Sequence, residues 1–141
     1  MTAAITGRCF CGAIHYETSA PPLTVRACWC RDCQYLSSGN ASVNAIFRVD
    51  TVSITGEPAR YVSTANSGNT MTRCFCDQCG TQMFAYSSAR SDVMVVRVGT
   101  MDDRELVRPG GFIWTASAPH WAQLDASLPQ HAGQAPPPLL R

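Results

Sequence analysis

The stretch Arg73-Cys74-Phe75-Cys76-Asp77-Gln78-Cys79-Gly80 decides how this chain is held together. In a Cys-x-x-Cys segment the two thiolates curl around one ion, and a following glycine lets the backbone turn tightly. Zinc prefers four soft ligands in a tetrahedron, so Cys76 and Cys79 need two more. Near the start of the chain, Cys9-Phe10-Cys11-Gly12 offers them: residues two apart in an extended segment point to the same side. The four together predict a closed thiolate site tying the N-terminal region to the middle of the chain. A closed site has no position for chemistry, so its expected role is structural. In a small, loop-rich chain such a staple supplies much of the folding free energy.

A second cluster, Cys28-Trp29-Cys30-Arg31-Asp32-Cys33, supplies three thiolates locally. Three protein ligands leave a fourth position for water or a substrate, the mark of a catalytic site. Zinc there can hold an incoming thiol as its thiolate, lowering a pKa ordinarily near about 8.5, or polarise a small carbonyl. Iron would also suit the thiolates, and zinc is preferred on ligand softness and abundance. The competing use of Cys-x-x-Cys is a thiol redox pair, expected at a strand-to-helix junction of a βαβ unit, which the sequence lacks. The eighth cysteine, Cys74, shares a face with Cys76 if the segment is extended. It either completes one of the two sites or is a buried thiol behaving as a small hydrophobe.

With 141 residues the chain reads as one domain, residues 1–128, followed by a Pro-rich tail, 129–141. Only 15% of residues are charged and the formal net charge is +1, which excludes an electrostatic nucleic-acid binder. All eleven basic residues are arginine. Schiff-base, pyridoxal-phosphate and Walker-loop chemistry all need a lysine amine and are excluded with it. The opening Met1-Thr2-Ala3-Ala4-Ile5-Thr6-Gly7-Arg8 has no apolar core for a secretory signal, and no stretch is long enough to span a membrane. The expectation is a soluble cytoplasmic protein with no membrane or nucleic-acid partner, its thiols reduced unless a metal takes them.

Between the clusters the sequence reads as short β-branched or aromatic segments bounded by Gly, Pro, Ser or Asn: 13–17, 23–27, 41–49, 52–55, 60–63, 81–87 and 93–98. Helical periodicity is weak, with one or two turns expected at 34–38 and at 119–124. The pattern predicts a mainly β domain and excludes a Rossmann arrangement. The tail from Pro129, carrying Pro136-Pro137-Pro138, is expected to be extended and loosely held.

Gly7-Arg8-Cys9-Phe10-Cys11-Gly12-Ala13-Ile14-His15-Tyr16 resembles the opening G-x-C-x-C-G-x-x-x-Y of the glutathione-dependent formaldehyde-activating family. The second cluster is similar to that family's C-x-C-x-x-C centre, and Arg73 to Gly80 to its R-x-F-C-x-x-C-G segment, in the same order over roughly residues 5–125. The resemblance implies a β-tent fold with two zinc ions, Cys9, Cys11, Cys76 and Cys79 holding a structural one and Cys28, Cys30 and Cys33 a catalytic one. It further implies carbon–sulfur lyase chemistry on formaldehyde and glutathione, giving S-hydroxymethylglutathione. Many members carry His where this chain has Trp29, whose ring is expected to offer a flat stacking surface.

Other candidates carry weaker signals. His15 falls on the polar face of a strand, His131 in the tail, and His120-Trp121 either borders the site or packs elsewhere. Arg31 and Arg48 can clamp a carboxylate or make ordinary surface pairs. Ser37-Ser38-Gly39-Asn40 is either a loop over the second zinc or a plain turn. The function expected is that of a two-zinc lyase joining a thiol such as glutathione to a small aldehyde. Its rivals are a non-catalytic zinc module for protein interaction and a zinc-thiol redox sensor.

Overall fold

The computed structural model describes residues 4–65 and 67–140. Met1 to Ala3, where the reading for a signal begins, and Arg141, at the end of the tail, lie outside them. Among the described residues, ten strands, one short helix and three single 3-10 turns follow one another. The strands are β1 (Ile5–Arg8), β2 (His15–Thr18), β3 (Thr24–Cys28), β4 (Ser42–Arg48), β5 (Val52–Thr55), β6 (Ala59–Thr64), β7 (Thr70–Phe75), β8 (Gln82–Ser87), β9 (Arg90–Arg97) and β10 (Phe112–Ile113); helix α1 is Arg31–Leu36. The mainly β expectation holds. No helix among the described residues is long and apolar enough to cross a membrane.

The strands form two sheets. A small antiparallel sheet has the order β1-β2-β5, and a seven-stranded sheet runs β10-β3-β4-β9-β8-β7-β6. Every pairing in the larger sheet is antiparallel except β10 on β3. Alternation explains how the sheets pack: in β1 and β2, Ile5, Gly7, Tyr16 and Thr18 are buried while their neighbours are exposed. That buried face meets Ala45 and Phe47 of β4, Phe84 of β8, and Met94 and Val96 of β9 in one apolar core. The Tyr16 ring stands edge-on to Phe84, centroids 5.5 Å apart, and its hydroxyl pairs with the Thr100 hydroxyl at 2.8 Å. Burying Tyr16 at this price in polarity works because the hydroxyl keeps a partner. Gly7 is required beneath it, since a β-carbon there would collide with the Tyr16 hydroxyl and the Thr100 carbonyl.

Three strands were not foreseen. β1 is interrupted by a glycine, β10 is two residues long, and β7 ends on Cys74-Phe75, where the chelating pattern that follows hides its strand character. Helix α1 begins at Arg31 instead of Gln34 because Cys30 caps it, its Sγ accepting the Cys33 N–H at 3.4 Å. At 119–124 the chain makes a turn, closed by Ala122 N–H to the Pro119 carbonyl at 3.0 Å, instead of a helix.

The tail is the largest departure from expectation. Phe112 donates to the Pro129 carbonyl, and His131 donates back to Phe112, both at 2.9 Å, so the tail runs parallel to β10 as a further partner. Trp114 Nε1 holds the Gln134 side chain at 3.1 Å, and Arg26 and Arg90 donate to the carbonyls of Pro136 and Pro138. Proline lacks a backbone donor but keeps its acceptor, and guanidinium groups use it here.

Candidate metal centres

The four-cysteine group forms where two similar turns face each other. Cys9-Phe10-Cys11-Gly12 closes through Gly12 N–H to the Cys9 carbonyl, and Cys76 to Gly80 through Gly80 N–H to the Cys76 carbonyl. Both glycines have left-handed φ, 83° and 79°. Thr81 stitches the turns together: its Oγ1 accepts the Phe10 N–H at 3.0 Å, leaving the hydroxyl proton to point at Cys79 Sγ, 3.2 Å away. That contact, with the Thr81 backbone N–H, brings the Cys79 thiol down to about 5. The four sulfurs lie within 4.8 Å of one another. A tetrahedral zinc with bonds of about 2.3 Å has sulfur–sulfur edges of about 3.8 Å. Cys9 to Cys11 and Cys11 to Cys76 are each 3.7 Å. The donor set and its size fit zinc.

The three-cysteine group is built locally. Cys28 ends β3 between Ser42 of β4 and Ile113 of β10, Cys30 caps α1, and Cys33 lies in its first turn. Their sulfurs also gather within 4.8 Å. Buried Gln34 anchors the helix, donating to the carbonyls of Trp29 and Ser117 at 2.7 and 3.0 Å. Cys33 is drawn down to about 2, first by hydrogen bonds from Cys28 and Cys30, then by the Ser42 hydroxyl and the Arg97 charge. Cys28 is pushed up by the same two cysteine neighbours. Three adjacent, largely buried thiols cannot all ionise without a cation, and a soft dication suits them.

Among the described residues, the structure gathers seven cysteines as four and three, and leaves Cys74 out of both groups. Cys74 is buried in the main core on β7 opposite Arg60 and Phe84, and burial pushes its thiol up despite the Arg60 charge. All eight cysteines are free of disulfides.

Trp29 corrects an expectation. It points away from the Cys28 and Cys30 sulfurs into a separate apolar cluster with Ala27 and Phe112, only 3% exposed, and meets Trp121 edge-on. It offers no free stacking face; Trp121, from the other candidate pair, is what covers it. His15 and His120 are exposed, and His131 sits in the tail against β10. Arg31 stacks over Tyr35 and Arg48 pairs with Asp50, both away from the sulfurs. The Ser37–Asn40 turn borders the site, Ser37 Oγ meeting Ser42 Oγ at 2.6 Å.

Sequence reading missed Arg97, Ser42, Gln82 and Arg73, which surround the three-cysteine group or the cavity beside it. The available signal was a charge inside an apolar strand, Val95-Val96-Arg97-Val98. That cavity, about 390 Å³, is lined by Ser42 and Arg97, neighbours of Cys33, and by Thr81, neighbour of Cys79. Tail residue Ala135 packs against Cys28, Cys33 and Ile113.

The model of one family, described as glutathione-dependent formaldehyde-activating enzyme, matches residues 4–117. No curated protein matches the chain. Among solved structures, a crystal structure of a Rhodobacter sphaeroides protein superposes with a TM-score of 0.57 at 20% identity, covering 74% of this chain and 91% of the other. At that identity the likeness concerns the fold.

Proposed function

The chain belongs to the glutathione-dependent formaldehyde-activating family, and on that premise we propose that it is a carbon–sulfur lyase making and breaking a thiol–aldehyde adduct of the S-hydroxymethylglutathione type. The observation that carries this reading is the contrast between a four-sulfur group and a three-sulfur group beside a cavity of about 390 Å³. Cys9, Cys11, Cys76 and Cys79 are assigned to a structural zinc, and Cys28, Cys30 and Cys33 to a catalytic one. Zinc at the second group would supply a position where a thiol is held as thiolate or a carbonyl is polarised.

In the reaction itself, the substrate sulfur attacks the aldehyde carbon, a C–S bond forms, and the carbonyl electron pair moves to oxygen. The thiol proton is lost and the new hydroxyl gains one, so nothing is oxidised or reduced. No protein nucleophile is needed, in keeping with a chain that has no lysine. Ser42 and Arg97 offset negative charge around Cys33, while Ile113 and Ala135 shield the group from water on their side. Cys30, the most open of the three, is half-buried. A cytoplasmic setting goes with this reading, because thiols that serve as metal ligands call for a reducing compartment.

The test is exchange spectroscopy on formaldehyde, glutathione and S-hydroxymethylglutathione. Wild type should accelerate exchange and Cys30→Ala should not; equal rates in both would remove the mechanism.

A further inference from the structure

The tail touches the three-cysteine group in two ways. Among residues 129–140 only Ala135 is buried, while its neighbours Gln134 and Pro136 are exposed. Its methyl group joins Cys28, Cys33 and Ile113 in one apolar cluster, with Cys30 and Trp114 at the edge. The second contact runs through the turn 114–117, where Thr115 donates to the His131 carbonyl at 3.1 Å and Ala116 to the Ala132 carbonyl at 3.3 Å. The same turn carries the Ser117 carbonyl that receives Gln34 of α1, and α1 holds Cys33 and is capped by Cys30. The tail therefore covers the sulfurs and steadies the helix that presents them.

Trp114, where the tail meets the turn, holds a left-handed φ of 57°. A bulky side chain rarely takes that conformation and keeps it only where its surroundings enforce it. Here the tail enforces it: Trp114 donates its backbone N–H to the Gly133 carbonyl at 3.0 Å and its Nε1 to the Gln134 side chain at 3.1 Å. The strain is released when those two bonds open. Beyond Ala135, Pro136-Pro137-Pro138 has its φ angles fixed and moves as one stiff piece. Arg26 and Arg90 grip that piece at the Pro136 and Pro138 carbonyls, 2.7 and 3.3 Å away. One buried methyl group, two guanidinium contacts and a run of hydrogen bonds to the edge of the sheet make a small unit that can open without the core.

We propose that residues 129–140 are a strap that opens as a unit away from Trp114 and sets how fast the three-cysteine group takes up or loses its metal. Closed, it keeps chelators, oxidants and competing ions from Cys28 and Cys33. Open, it bares both sulfurs and loosens α1. The four-cysteine group is held by its own turns and does not depend on it. The metal part rests on the zinc reading of the three cysteines; the shielding of the sulfurs does not.

Amide hydrogen exchange and zinc transfer to a competing chelator, both on the zinc-loaded full chain, test it. The Trp114 and His131 amides, bonded across the strap, should exchange roughly tenfold or more faster than the amides of β4, which is paired on both sides. Arg26→Gln removes one hydrogen bond from a charged donor, which corresponds to roughly tenfold in an opening equilibrium. Exchange at Trp114 and His131 and zinc loss from the three-cysteine group should quicken by that same factor. Exchange in β4 and zinc loss from the four-cysteine group should stay as in wild type. Ala135→Asp, which sets a carboxylate against the sulfurs, should act the same way and more strongly. Wild-type Trp114 and His131 amides that exchange as slowly as those of β4 overturn the strap without any variant. So does zinc that leaves Arg26→Gln at the wild-type rate while the two amides quicken. The two readings fail separately. If native mass spectrometry finds zinc in the four-cysteine group alone, the zinc reading falls and N-ethylmaleimide decides the strap. Faster labelling of Cys28 and Cys33 in Arg26→Gln keeps it, and equal labelling overturns it.

Discussion

The two sulfur groups use the same side chain to opposite ends. In the four-cysteine group the ligands come from turns 65 residues apart in sequence, Cys11 to Cys76, and each turn is held by its own glycine and by Thr81. Long-range closure with a complete ligand set makes a fastening. In the three-cysteine group all ligands fall within Cys28 to Cys33, around a strand end and a helix cap, and a buried arginine and a cavity adjoin it. Local closure adds little to chain topology, and three sulfurs fall one short of a tetrahedral set. On the proposed assignment, the difference teaches that sequence separation and ligand count, more than cysteine number, sort stapling from reactivity.

Cys9→Ala should have the largest effect. Structural zinc contributes about 10–16 kcal/mol in small zinc-binding peptides, against about 5–15 kcal/mol of stability for a whole domain. Loss of the cooperative thermal transition is expected, and chelation of that zinc should act alike. Cys30→Ala should break the other half of the comparison: one zinc lost by native mass spectrometry and adduct exchange abolished, with the melting temperature lowered by only a few degrees. A Cys30→Ala that unfolds would mean the second group is a staple too.

Tyr16, on the small sheet beside the first group, gives a pH signature. Burial pushes its hydroxyl up to about 12, against about 10 in the unfolded chain. The folded state therefore keeps a proton the unfolded state gives up, and stability present below about pH 10 drains away as pH rises toward 12. Denaturant melts of Tyr16→Phe should show a shallower alkaline decline, at a cost of about 1 kcal/mol at neutral pH for the lost Thr100 bond. The smallest effect belongs to Thr81→Ala, which removes the link between the two turns; about 1 kcal/mol is expected in chemical denaturation.

The division of cysteines was legible because chelation writes itself into spacing: Cys-x-x-Cys-Gly and Cys-x-Cys-Gly specify a turn and its ligands within five residues. Strand alternation was equally readable at β5, Val52–Thr55, whose bounds match the reading. What escaped is what depends on cross-strand neighbours. Arg97 matters because β9 lies beside β4 and brings it opposite Asn44, a pairing no local pattern contains. Trp29 looked like part of its cluster because it sits between Cys28 and Cys30, yet alternation sends it to the opposite side. The tail looked loose because its prolines cannot donate, while its partners, Phe112, Trp114, Arg26 and Arg90, lie far away in sequence.

The packing of Ala135 on Cys28 and Cys33 has a consequence in the order of synthesis. Translation adds roughly 5–20 residues per second, so about a hundred residues separate Cys33 from its cover by roughly 5–20 s. The four-cysteine group is complete as soon as Cys79 has emerged. On the ribosome the molecule is therefore fastened first and roofed last, and between those moments the three clustered thiols stand open to whichever metal or oxidant arrives.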